Sequence, residues 1–248
     1  MSDPARDLPT EARRRPAHAQ VAREMGIAIV TGRYPPGSNL PGEHEIAARR
    51  GIARSVVREA LRMLGAKGLL ESKPRAGTRV RDRAEWNLLD PDLLAWMFEG
   101  EPPADFVRSL FQLRLIVEPA AAELAAVTRT PAQLAAMDEA LDQMALHGLA
   151  TPEGQAADQR FHHLVLHATQ NELLVSLAVT IGSAVRWTTI YKYRNSRHPR
   201  DPMPEHRLLY DAIAAQDPAA ARAATVTLIT EAEAATAAIV AQMAEGAG

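Results

Sequence analysis

The chain has 248 residues, 47% of them apolar and 4% aromatic, with no cysteine and a formal net charge of −2. That length suits one large domain or two ordinary ones, and the lack of cysteine excludes disulfides and thiolate metal sites. The small net charge hides an asymmetry: residues 1–83 carry 17 Lys and Arg against 9 Asp and Glu, a balance of +8, and the remainder carries 11 against 21, a balance of −10. A basic module suited to nucleic acid is therefore joined to an acidic one suited to something else.

Residues 1–15 are polar, rich in arginine and interrupted by proline, and read as a disordered arm with no secretory signal. Val21, Met25, Ile27 and Ile29 mark a first helix, which "GRYPPGSNLP" ends because Gly and paired prolines force a loop. "GEHEIAARR" predicts a short helix, "GIA" a tight turn, and "RSVVREALRMLGA" a second helix, which is the helix-turn-helix pattern. On that last helix Arg54, Ser55, Arg58 and Arg62 fall in one sector while Val57, Ala60, Leu61 and Leu64 fall in another. Alone, an arginine stripe suits a solvated face as well as it suits DNA. The neighbours decide it: "LLES" and "TRVR" predict two short strands around "KPRAG", a hairpin whose tip offers Lys73, Arg75 and Gly77 to a phosphate backbone. A winged helix-turn-helix over residues 16–83 follows, with Arg54, Ser55 and Arg58 facing base edges and phosphates. Val56 and Thr78 complete the expected DNA-facing set.

Residues 84–248 contain no convincing strand. Seven segments read as helices, several opened by Thr-Pro, Asp-Pro or Asn-Glu, as N-caps require. The predicted fold is thus mostly α, a winged helix followed by an all-α antiparallel bundle of about seven helices. The longest uncharged stretch, Leu173–Val185, is too short to cross a bilayer, so a soluble, cytoplasmic chain is expected.

Within the bundle, Asp158 and His162 share a helix face and His206 comes from a later helix. One carboxylate and two imidazoles form a usable divalent-metal set with positions left open, although an Asp–His pair at this spacing is also a common surface hydrogen bond. Arg114 lies on an otherwise core-facing helix; it either pairs internally with Glu118, four residues on, or clamps a carboxylate ligand. Arg186 is a further candidate for the same cavity. His163, His167 and His198 read as surface or core-edge residues.

The stretch "LPGEHEIAARRGIARSVVREALRMLGAKGLLESKPRAGTRV" resembles the N-terminal domain of the GntR family of bacterial regulators. The resemblance implies DNA contacts for Arg54, Ser55, Arg58 and the wing. Two positions depart from the family pattern: Ala53 replaces the usual Ser or Thr, which removes a side-chain N-cap, and His44 stands where Arg is frequent. "FQLRLIVEPAAAELAA", "DQRFHHLVLHATQNELL" and "EHRLLYDAIAAQDPAAA" resemble the FCD ligand-sensing domain of the FadR-type branch. This implies a divalent metal (zinc, nickel or manganese) on Asp158, His162 and His206, with the usual fourth ligand replaced by Leu228. Either three side chains hold the metal and the effector completes its shell, or the metal is lost and the histidines bind the effector directly. "AEWNLLDPDLLAW" resembles the linker of the galactonate-operon repressor subgroup, implying a sugar acid as effector. The expected protein is a homodimeric repressor that reads a palindromic operator and is released by a small carboxylate bound near Arg114 and Arg186. Two other classes compete with it, a metal-dependent hydrolase using the Asp/His/His set and an architectural DNA binder with a purely structural bundle.

Overall fold

A computed structural model describes residues 16–73 and 77–246, and shows two compact units that meet between Asn87 and Leu88. The expected arm, wing-tip Arg75 and the side chain of Lys73 lie outside what is described.

In the first unit, α1 (Ala17–Val30) packs along α3 (Arg54–Ala66), with α2 (Glu43–Arg50) against α3. Gly51 closes α2 in the left-handed region (φ 63°), where glycine carries no Cβ penalty, and so sets the tight turn into α3. Val57, Ala60, Leu61 and Leu64 are buried, so the apolar sector of α3 is spent on the core. Strands β1 (Leu70–Lys73) and β2 (Gly77–Val80) pair antiparallel with Leu70 opposite Val80. The segment before α2 adds to the wing: the Leu40 amide donates to the Thr78 carbonyl and the Gly37 amide to that of Val80. Trp86 is buried and donates its indole N–H to the Arg81 carbonyl, which keeps the chain on this unit until Asn87.

The second unit is all helix. It comprises α4 (Pro91–Glu99), α5 (Ala104–Thr128), α6 (Pro131–His147), α7 (Pro152–Ala168), α8 (Glu172–Ser176), α9 (Ala178–Asn195), α10 (Met203–Ala214) and α11 (Pro218–Gly246). Among the described residues these are eight helices rather than seven, because "NELLVSLAVTIGSAVRWTTIYKYR" breaks at Leu177 into α8 and α9. The starts follow the caps: Asp90 accepts from the amides of Asp92 and Leu93, Thr130 forms a reciprocal box with Gln133, and Asn171 accepts from Leu173 and Leu174. Helix α11 is long and apolar enough to cross a membrane by length and composition. In this fold it lies along α5 and α10, with Ala221, Leu228, Ile229 and Ile239 in the core. Helix α7 packs against α5, α6 and α9. Stripes from α5, α7, α9, α10 and α11 therefore converge on one point inside the bundle.

Candidate functional site

The exposed face of α3 carries Arg54, Ser55, Arg58 and Arg62. Helix formation alone puts them there, because the opposite sector is committed to the core. Among the described residues Arg54 has no acidic partner, whereas Arg58 is drawn to Glu43 of α2, with Nε 3.3 Å from Oε2. Val56 is half-buried at the edge of this face, and His44 is exposed on α2. Gly77 opens β2 at φ 85° with open space around its Cα, and the Thr78 hydroxyl lies 3.1 Å from that of Ser72 across the wing. Ala53 caps α3 with no side-chain bond, as its departure from the family pattern implies. The sequence did not single out Arg79: its Nε donates to the Gly37 carbonyl at 2.9 Å, so it fastens the wing to the preceding loop.

The second site lies inside the bundle. Asp158 and His162 of α7 and His206 of α10 are all buried, and one ligand atom from each lies within 4.8 Å of the others. Their ring orientations are fixed from behind. His206 Nδ1 lies 2.8 Å from the Pro202 carbonyl, which can only accept, so the proton sits on Nδ1. His162 Nδ1 lies 2.8 Å from Glu118 Oε2, close enough for an ion pair although off the hydrogen-bond direction. Nδ1 facing a carboxylate likewise keeps its proton. Both Nε2 atoms consequently turn towards Asp158 Oδ1, at 3.2 Å for His206 and 3.6 Å for His162. With neutral rings, two lone pairs and a carboxylate oxygen face one another with no proton between them. A metal cation, or a second proton on one ring, resolves that conflict, and ligand bonds of about 2.0–2.2 Å in tetrahedral array would separate neighbouring donors by roughly 3.3–3.6 Å. The residues present therefore fit a divalent metal. Phe161 packs edge-on to both rings and braces them.

Arg114 resolves towards the internal pair that its spacing allowed: Nε donates to Glu118 Oε1 at 2.6 Å, with both side chains buried. Glu118 is thus the hub that orients Arg114 and His162 together. Burial alone would raise its pKa, but the charge of Arg114, joined by that of His162 when its ring is protonated, outweighs that and holds it at about 2. Asp158 is likewise pushed up by burial and pulled down further by His206 and His162 when their rings are protonated and by the Thr189 hydroxyl, to about 2. Both folded values lie below the ordinary carboxylate range, so their contribution to stability is complete above about pH 4.5 and is lost as pH falls through about 2. Urea midpoints measured from pH 6 downward should hold until about pH 4.5 and then fall. Glu118→Gln should flatten that fall; an unchanged slope would mean that these carboxylates do not carry it.

The cavity beside the cluster is small, about 30 Å³, room for one water or one ion. Arg114, Asp158, His162 and His206 line it, as does Leu228, the residue that the family resemblance puts at the fourth-ligand position. Arg186 sits on another face of α9; it is half-buried, and its Nε has no partner among the described residues. Four polar lining residues are not singled out by the sequence: Lys192, Thr188, Thr189 and Thr236. The signal was present, because Val185, Thr188, Thr189 and Lys192 repeat at i, i+3, i+4 and i+7 on α9. A lysine on a stripe that otherwise faces inward marks a cavity. Of the remaining histidines, His163 and His167 stack on each other at 4.3 Å and His198 is exposed.

Comparison with known proteins identifies both domains. Residues 17–80 match the family model described as bacterial regulatory proteins, gntR family, and residues 109–231 match the FCD domain. The chain is 35% identical over 207 residues to the galactonate operon transcriptional repressor of Escherichia coli strain K12, covering 83% of this chain and 90% of that protein. It is 31% identical over 210 residues to the HTH-type transcriptional regulator LutR of Bacillus subtilis strain 168, covering 83% and 94%. Its fold matches the solved structure of Lar, described as controlling the Listeria monocytogenes agr system, with TM-score 0.62 and 18% identity over 88% of this chain and 95% of that one. These relatives are regulators, and none of the comparisons supports the hydrolytic alternative. The chain belongs to the GntR family of bacterial regulatory proteins, and is a DNA-binding transcriptional regulator with an FCD domain behind its winged helix.

Proposed function

We propose that this regulator is a cytoplasmic, homodimeric repressor whose bundle holds a divalent transition metal on Asp158, His162 and His206, and that a sugar acid bound there releases the operator. The observation that carries the reading is the convergence of two Nε2 atoms on Asp158 Oδ1, each ring fixed through its Nδ1. The name of the galactonate operon repressor supports a sugar acid, as does the "AEWNLLDPDLLAW" linker. The metal would supply Lewis acidity towards an acid group and a neighbouring hydroxyl, and Arg114, already held by Glu118, has further N–H donors at the cavity wall. His44, Arg54, Ser55, Val56, Arg58, Gly77 and Thr78 remain the DNA-facing set, with Lys73 and Arg75 at the wing tip. One winged helix reads too few bases for useful specificity, and a two-fold dimer on a palindrome supplies the rest. A sugar acid is larger than a 30 Å³ cavity, so its entry must part the helices. Binding then favours one arrangement of the bundle over another, which is what a ligand needs in order to shift a DNA-binding equilibrium.

The test combines elemental analysis with thermal melts on protein purified without a metal-affinity tag. About one metal per chain after loading is expected, with a sugar acid raising the melting temperature only of the loaded form. Less than a tenth of a metal per chain would contradict the metal. A shift of equal size without metal would instead favour direct binding by the histidines.

A further inference from the structure

Lys192 has no role in holding the metal cluster, yet it is 6% exposed and lines the same cavity from α9. Among the described residues its ammonium has no carboxylate partner; its recorded neighbour is the Tyr193 ring, 5.3 Å from Nζ to the centroid. The acids whose charges reach it are Asp158 and Asp201. Asp158 faces both imidazoles and accepts from Thr189, and Asp201 accepts from the Met203 amide. Burial pulls the Lys192 pKa down, with these two carboxylates only partly offsetting it. A buried cation in this condition is held ready for an anion that arrives with a ligand.

A charge count points the same way. Arg114 and Glu118 cancel, and neutral imidazoles add nothing. A divalent metal against Asp158 leaves +1, and Lys192 adds another. An effector with one acid group neutralises half of this, and one with two acid groups neutralises all of it. The hydroxyls on the wall specify the rest of the ligand. Thr188 donates to the Ala184 carbonyl, Thr189 to Asp158 Oδ2 and Thr236 to the Ala232 carbonyl, at 2.8, 3.1 and 2.7 Å. Each hydroxyl hydrogen is committed, so each oxygen is left to accept. Three acceptors suit a ligand rich in donors, as a polyol is.

From this arrangement we infer that Lys192 is a second anion-binding residue of the effector cavity, and that the effector class is a polyhydroxy acid with an acid group at each end. One acid group goes to the metal and Arg114, the other goes to Lys192, and the hydroxyls between them are read by the threonines. The inference rests on the sugar-acid reading above.

Two probes of one carbon skeleton test it. Galactarate carries an acid at both ends; galactonate has one of these reduced to a hydroxymethyl. Calorimetric titration of the metal-loaded full-length protein should give galactarate at least a tenfold lower Kd. Lys192→Met should erase that preference while leaving the galactonate Kd within about threefold, and it should raise the melting temperature of the unliganded protein, since an unpaired buried charge is removed. Lys192→Gln gives the same readout with a polar replacement. Equal Kd values for the two acids in the wild-type protein, a measurement that needs no variant, would overturn the role of Lys192 and leave the sugar-acid reading standing. So would a substitution that weakened both acids alike. Binding of neither acid to the loaded wild-type protein would overturn both readings together.

Discussion

Arg114→Met should lower the stability of the protein by about 3–5 kcal/mol, the usual effect of removing one partner from a buried ion pair. Arg114 and Glu118 are both buried, at 3% and 4% exposure, and their 2.6 Å bond is shielded from solvent. Without the guanidinium, Glu118 keeps only the His162 ring and loses the larger of the two attractions that hold its carboxyl near pKa 2. The double variant Arg114→Met, Glu118→Gln removes both charges and leaves an amide oxygen for His162 Nδ1–H. It should be more stable than the single variant by more than about 1 kcal/mol, a coupling expected of residues in direct contact. Urea unfolding followed by circular dichroism reads both, provided the slope with denaturant is unchanged. Strict additivity of the two substitutions would show that the pair is not coupled. The same result bears on effector studies. A substitution at Arg114 disturbs the brace of His162 as well as the cavity wall, so loss of effector response in that variant does not by itself identify a carboxylate clamp.

Arg54→Ala should weaken binding to a selected operator by about 1–3 kcal/mol, roughly 5- to 150-fold, with no change in melting temperature. The side chain is exposed at the first turn of α3, and its helix is held by Val57, Leu61 and Leu64 on the opposite side. Arg58→Ala should have a smaller effect, because Arg58 must first leave Glu43, from which its Nε is 3.3 Å distant. Gel-shift titrations at one fixed salt concentration compare the two. An Arg54→Ala protein that binds its operator like the wild type would remove α3 from the interface.

Much of this was legible because the periodicities are clean. The arginine and apolar sectors of α3 separate on a wheel, Gly51 marks the turn, and Thr-Pro and Asp-Pro pairs announce helix starts. The break at Leu177 was not legible: no glycine or proline stands there, and from the Asn171 cap onward the segment reads as one continuous helix. The grouping of Asp158, His162 and His206 could be read from an i, i+4 pair and one later histidine, but the hub role of Glu118 could not. Its spacing to Arg114 was visible, whereas its approach to His162 depends on how α5 packs on α7. Lys192 and the threonines were passed over because lysine and threonine on a helix are ordinarily solvent-facing or neutral. The spacing of Thr188, Thr189 and Lys192 with Val185 marks a shared stripe, and the cavity that this stripe lines forms where five helices converge.

An acid bound inside the bundle should control DNA binding by the winged helix. Fluorescence anisotropy of a labelled, selected operator, titrated with metal-loaded protein in the presence and absence of saturating galactarate or galactonate, measures this control. Operator affinity should fall at least tenfold with bound acid, and Asp158→Asn, which disables the cluster, should bind operator equally with and without it. Unchanged operator affinity under conditions where calorimetry shows the acid to be bound would contradict it.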